Sequence, residues 1–261
     1  MTTTAAETTI PKTALVTGGN RGLGRSSALH LAAAGVDVIL TYRSHPEEAE
    51  AVVDQIRETG RQAAALQLDT GQPETFPAFA ETVRSTLTDA FGRTSLDILV
   101  NNAGHSLRTP IGETRLEDVR SLLDIHIVGT VMLTEALLPL LADGGRIVNT
   151  SSGLARFTGD GSSSVYAAAK GAVEVYTRYL AKELGPRRIT VNTVAPGVVG
   201  TDFGGGTSRD NEQVREHLSA LIAMGRVGEP DDIGAAVASI TSDAMGWVTG
   251  QRIEASGGML L

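Results

Sequence analysis

Alternation constrains this chain more than any other feature. Short β-branched runs at residues 14–17, 36–42, 96–100 and 146–150 are each followed by a longer stretch with helical patterning. Strands separated by helices require right-handed crossovers, and those place the strands parallel, with helices on both faces of one sheet. The run Leu96-Asp-Ile-Leu-Val100 is apolar on both sides of the pleat, as a buried parallel strand demands. The 261 residues suit a single core, for which ~250 residues is near the upper limit. No Pro/Ser-rich linker or internal repeat interrupts the rhythm. Residues 1–11, Thr-rich and closed by Pro11, are expected to be a flexible extension, and 12–261 one α/β domain.

Composition removes several functions. The chain has no cysteine, which excludes disulfides, thiolate zinc sites and a cysteine nucleophile. Five scattered histidines form no recognisable metal cluster, so no metal site is expected. A net charge of −8 argues against a nucleic-acid partner, which would need a basic stripe. The N-terminus lacks the basic and apolar segments of a secretory signal. The most apolar stretch, 125–142, is interrupted by His126 and Glu135 and broken by Pro139, short of a bilayer span of ~20 apolar residues. No membrane association and a cytoplasmic location are the expectations.

The first strand ends in Thr17-Gly-Gly-Asn-Arg-Gly-Leu-Gly24, and a helix begins at once. Glycines 18, 22 and 24 allow a tight turn and let the helix N-terminus approach a pyrophosphate, with free N–H groups and the positive dipole end directed at it. The second strand should end beside the adenine ribose, where an NAD enzyme places a carboxylate. Here the residues are Thr41-Tyr-Arg-Ser44. Arg43, helped by Arg21, can grip a 2′-phosphate with charge-assisted bonds, so NADP(H) is the expected cofactor.

Tyr166-Ala-Ala-Ala-Lys170 places a phenol and an ammonium on one helix face. A free tyrosine has a pKa of ~10, and a nearby cation favours its phenolate. Lys170, with a cationic nicotinamide, is therefore expected to lower the Tyr166 pKa into a range useful for general acid–base work.

The spacing of the glycine turn, Asn101-Asn-Ala-Gly104 after a later strand, and the Tyr166/Lys170 pair together resemble the short-chain dehydrogenase/reductase family over residues 12–261. The resemblance implies a Rossmann-type doubly wound parallel sheet and hydride transfer between NADP(H) and a small-molecule carbonyl or alcohol. It also implies a homo-oligomer, a tetramer or a dimer. The helices over 119–138 and 165–184 carry more apolar surface than covering a sheet requires, which points to the interface.

The resemblance also assigns roles. Ser152, in Asn149-Thr-Ser-Ser-Gly153, would orient the substrate carbonyl and Tyr166 would donate the proton, with Ser151 as the other candidate. Asp69 would bond the adenine amino group and is followed by Thr70, although Asp69 also suits a turn or helix cap. Asn102, Ala103 and Gly104 would line the ribose side of the cleft. Pro196 and Gly197 would face the nicotinamide, with Thr201 near its carboxamide or the pyrophosphate. Asn20, Leu23, Ser44 and Val199, with Tyr166 and Lys170 themselves, complete the cofactor contacts.

Three departures from the family pattern stand out. Fourteen positions separate Ser152 from Tyr166 where thirteen are usual, an excess assigned to the loop 158–164. His126 stands where the family has an asparagine that holds a water beside the lysine. An imidazole can also hold a water but titrates near neutrality. The customary Asp-Gly-Gly is Ser256-Gly257-Gly258, which leaves local stabilisation in doubt.

Pocket walls are expected near 104–110, 153–164 and 198–225. A free ketone or β-keto ester is the favoured substrate. A 3-oxoacyl-carrier-protein reductase is the alternative, with Arg187 and Arg188 as its basic docking patch. A catalytically silent NADP-binding sensor is the reading from another class.

Overall fold

The computed structural model describes residues 11–159 and 161–261, so all of the proposed extension except Pro11 lies outside the described residues. Seven strands form one parallel sheet in the order β3-β2-β1-β4-β5-β6-β7. They are β1 (Thr13–Val16), β2 (Asp37–Tyr42), β3 (Ala63–Gln67), β4 (Leu96–Asn101), β5 (Leu141–Thr150), β6 (Thr190–Pro196) and β7 (Arg252–Ala255). β5 starts earlier than its β-branched run, and its register against β4 shifts between Leu96 and Ile98, opposite Gly144 and Gly145.

Strand residues alternate between two cores, as the period of two requires. Leu15, Ile39, Leu99, Ile147 and Val191 face α3 (Phe76–Phe91), α5 (Thr130–Leu137) and α6 (Ser164–Leu184). Val16, Val38, Ile98, Val148 and Val194 face α1 (Gly22–Ala33), α2 (Pro46–Glu58) and α7 (Pro230–Thr241). All ten are essentially inaccessible to solvent. Because β1 is followed outward on one side by β2 and on the other by β4, a crevice opens above their carboxyl ends, the usual ligand site of such sheets.

The stretch expected to be broken near Pro139 belongs to a continuous helix, Leu116–Leu140, which by length and composition is sufficient to cross a membrane. Pro139 occupies the start of its last, 3-10 turn, where its missing N–H costs nothing. In this fold the helix covers the sheet, burying Leu122, Leu133 and Leu137. It comprises α4 (Leu116–Leu123), a π-helical segment Asp124–Gly129, and α5. Such π turns insert one residue and recur at functional sites, and this one carries His126.

Candidate active site

The glycine turn joins β1 to α1 at the crevice. Gly18 and Gly22 have φ of 63° and 54°, which glycine alone adopts without strain. Gly24 is required by contact instead, since a Cβ there would lie 2.1 Å from the Gly18 carbonyl oxygen. Thr41 anchors the turn from β2, its hydroxyl accepting from Gly18 N at 3.2 Å and its carbonyl from Gly19 N at 2.8 Å. From β4, the Asn102 amide donates to the Thr17 carbonyl at 2.9 Å, and the Thr17 hydroxyl accepts from the N–H groups of Asn102 and Ala103.

α1 begins with no side-chain cap and no acidic residue in its first turn, which leaves its orphan N–H groups and dipole for an external anion. Thr201 lies across the opening from Gly22 and is itself buried, its hydroxyl accepting from Phe203 N. Leu23 packs into the core behind the turn, while the Asn20 amide is committed to Glu48 at 2.8 Å. Arg21, Arg43 and Ser44 are exposed at the ends of β1 and β2. Neither arginine is ion-paired among the described residues.

At the end of β3, Asp69 Oδ1 accepts from Gly71 N at 2.9 Å, which is the turn role, and Thr70 follows against Gly129. Pro196 and Gly197 close β6, with Gly197 pressed so near Ser256 that a Cβ would meet the Ser256 Cβ at 2.7 Å. Val199 bridges to Gly228.

The chemical groups gather at the ends of β4 and β5 and the start of α6. The Ser152 hydroxyl lies beside the Tyr166 phenol, close enough to favour its phenolate, and Ser152 Oγ accepts from Leu154 N at 3.2 Å. Ser151 points the other way, its hydroxyl donating to Glu174 Oε1 at 2.6 Å. Of the two candidates, Ser152 is therefore the serine beside the phenol, and the longer loop does not separate them. Thr109 pins the loop's far end, accepting from Val165 N and Ser164 Oγ and donating its own N–H to the Ser162 carbonyl.

Tyr166 is buried, and burial pushes its pKa up to about 12, partly offset by the Ser152 hydroxyl. The protein's own contribution is thus opposite in sign to the expected lowering. The Lys170 ammonium lies 5.7 Å from the Tyr166 ring centroid and donates to the Thr150 carbonyl at 2.7 Å. Burial without a carboxylate partner depresses its pKa to about 7, so it is a weaker cation than the spacing implied.

His126 meets Tyr166 edge-on, with ring centroids 5.2 Å apart. Its Nε2 lies 2.7 Å from the His105 carbonyl, so this nitrogen carries the proton and Nδ1 is left as a buried acceptor with no partner among the described residues. The expected titration near neutrality is not found. Burial, reinforced by Lys170, lowers the His126 pKa to about 3, because no carboxylate stands by to stabilise an imidazolium. Gly104 touches the same ring, and a Cβ on it would sit 2.4 Å from His126 Cε1. No group of metal-ligating side chains occurs among the described residues.

Five participants escaped the motif reading. Thr17 ties the turn to β4 and stood beside the glycines as a hydroxyl at a strand end. Glu174 follows Lys170 by one helical turn and was legible as an i+4 carboxylate on the same face. His105, stacked on His126 at 5.8 Å, adjoins the Asn-Asn-Ala-Gly segment. Phe203, tilted against Tyr166 at 5.8 Å, lies in the wall expected over 198–225 but carries no motif of its own, and the role of Arg252, beneath Ser152, has no local mark because its strand reaches the site from far along the chain.

Residues 18–260 match the family model described as Enoyl-(Acyl carrier protein) reductase. An uncharacterized oxidoreductase of Methylorubrum extorquens is 38% identical over 248 residues, covering 95% of this chain and 97% of its own. A 3-oxoacyl-[acyl-carrier-protein] reductase of Synechocystis is 36% identical over 251 residues, with 95% and 96% covered. Among solved structures, landomycin C-6 ketoreductase LanV with bound NADP and rabelomycin superposes with a TM-score of 0.86 at 36% identity, covering 95% of this chain and 96% of that one. With matching fold, turn and site, the chain belongs to the short-chain dehydrogenase/reductase family.

Proposed function

We propose that the protein is an NADP(H)-dependent oxidoreductase that reduces a small-molecule ketone or β-keto ester to the alcohol. One observation carries the reading: the Ser152–Tyr166–Lys170 cluster opens beside an uncapped, glycine-cradled helix N-terminus. The cradle fits a dinucleotide. Its N–H groups suit the pyrophosphate, exposed Arg21 and Arg43 suit a 2′-phosphate, and no carboxylate ends β2 to repel one. Bound NADPH supplies the hydride. LanV's NADP and rabelomycin, and its name as a ketoreductase, support both parts of the reading.

The residues divide the remaining work. Ser152 Oγ donates to the substrate carbonyl oxygen and orients it. Tyr166, a phenol that holds its proton well above neutrality, is the general acid for reduction. Lys170 stabilises the phenolate left behind, and its contact with the Thr150 carbonyl fixes it under the ring. His126 Nδ1 accepts from a water that relays a proton from solvent to Lys170 as Lys170 gives one to the Tyr166 phenolate, which restores the acid. Being uncharged across the working range, it acts there as the amide of the family pattern would.

A carrier-bound acyl chain is the second substrate reading, favoured by the Synechocystis relative. Charge weighs against it. Arg187, half of the candidate basic patch, is already paired with Asp143 at 2.8 Å and bonded to the Leu138 and Leu141 carbonyls. A chain at −8 gains no long-range steering toward an acidic carrier. The exposed Leu123, Val128 and Met132 on the long helix, with Val175 and Tyr179 on α6, support a homo-oligomer, a tetramer by family habit.

The test is NADPH oxidation against ketones, β-keto esters, quinones and matched free and carrier-bound acyl thioesters. Tyr166→Phe should bind NADPH as before and lose nearly all turnover. Retention of more than about a tenth of the rate would remove Tyr166 as the acid. A carrier advantage of about 100-fold, ~2.7 kcal/mol, would favour the acyl-carrier reading.

A further inference from the structure

A chain of four charged side chains runs beneath the catalytic serine. Each guanidinium nitrogen of Arg252 has its own acceptor. Nε donates to Glu174 Oε1 at 2.7 Å, Nη1 to Glu254 Oε2 at 2.7 Å, and Nη2 to the Ser152 carbonyl at 3.2 Å. Glu174 Oε1 is the same oxygen that accepts the Ser151 hydroxyl. Glu254 also receives Arg156, at 2.7 and 2.8 Å, and the Ser256 hydroxyl at 2.9 Å. Arg156 in turn donates to the carbonyls of Met259 and Leu260, near the C-terminus.

The backbone at Ser152 needs such support. It lies beyond the last residue of β5, with no ladder partner, and is extended at φ −157° and ψ 150° before the 3-10 turn Gly153–Ala155. Among the described residues, only that short turn otherwise holds its carbonyl, through Ala155 N at 3.1 Å. Arg252 and Glu174 are mostly buried and formally neutralise each other, so the pair works in a low-dielectric setting where a planar, three-acceptor guanidinium fixes geometry well.

We infer that Arg252 is a positioning residue for the reaction: held by Glu174 and Glu254, it fixes the Ser151–Ser152 backbone so that the Ser152 hydroxyl stays against Tyr166. The inference rests on the role given to Ser152 above. Ser256 is part of the same device. It bonds Glu254 and accepts from Met259 N at 3.3 Å, which supplies the local stabilisation left in doubt by the missing aspartate.

The experiment is a double-mutant cycle between Arg252→Met and Ser152→Ala, read as kcat with saturating NADPH and substrate. Arg252→Met should lower kcat about 10- to 100-fold, the scale of a misplacement near 1 Å, with NADPH affinity unchanged. In the Ser152→Ala background the same change should cost less than about threefold, because its only route to the chemistry is gone. An equal loss in both backgrounds, or no loss in the first, overturns the inference while leaving Ser152 in place. A Ser152→Ala enzyme as fast as its parent instead overturns the role of Ser152, and this inference with it. Should Arg252→Met fail to bind NADPH, Glu174→Gln, which keeps the shape and removes the charge, is judged by the same two comparisons.

Discussion

Gly104→Ala should be among the most damaging single-methyl changes in the molecule. Gly104 needs no unusual φ, so the cost is purely one of contact. The new Cβ would lie 2.4 Å from His126 Cε1 and 3.0 Å from Nδ1, well inside van der Waals distance. The ring cannot retreat freely, because His105 stacks on one side, Tyr166 abuts another, and Nε2 is bonded to the His105 carbonyl at 2.7 Å. Overpacking costs ~1–3 kcal/mol and a lost hydrogen bond ~1 kcal/mol, so about 2–4 kcal/mol of stability should go. In a domain of this size that lowers Tm by about 4–16 °C. Displacing the ring against Tyr166 should also lower kcat by about 100-fold. Thermal unfolding and NADPH oxidation read the two effects. Removing the ring identifies the cause: in a His126→Ala background, Gly104→Ala should cost less than about 0.5 kcal/mol. An unchanged Tm for Gly104→Ala, or the same cost in both backgrounds, would refute the reasoning.

Three further outcomes follow from the geometry. Arg43→Asp should abolish a preference for NADPH over NADH of about 10- to 100-fold, the scale of a charge-assisted bond; equal kcat/KM for both cofactors in the unaltered protein would contradict it. Gly24→Ala drives a methyl group into the Gly18 carbonyl and should weaken NADPH binding severely by calorimetry, whereas an unchanged Kd would show that the turn can shift. The folded-state pKa of His126 is depressed from 6.5 to about 3, so its contribution to stability is whole above 6.5 and lost as pH falls through 3. Urea unfolding at pH 7.5 and 4.5 should accordingly show a smaller acid loss for His126→Asn than for the parent, and parallel losses would count against a buried neutral imidazole.

The turn, the Tyr–Lys pair and the parallel sheet were all legible in the residues, because each rests on short-range rules. A glycine with positive φ, an i+4 pair on one helix face and a β-branched run between helices act within a few positions of themselves. Pro139 gives a false sign of a short helix, because proline breaks only a helix that continues past it, and this one ends there.

What only the tertiary structure decided is the electrical and positional state of the site. Spacing pairs Tyr166 with Lys170, but burial sets the phenol up to about 12 and the ammonium down to about 7. The sequence allows either Ser151 or Ser152, and Glu174 claims the first while Tyr166 meets the second. His126 reads as a group that titrates near neutrality, and the packing of His105, Gly104 and Tyr166 around it makes it a neutral acceptor. Local patterns determine which groups are present and on which face they lie. Desolvation and long-range hydrogen bonds, such as that from Arg252 to Ser152 across a hundred residues, exist only once the sheet has assembled.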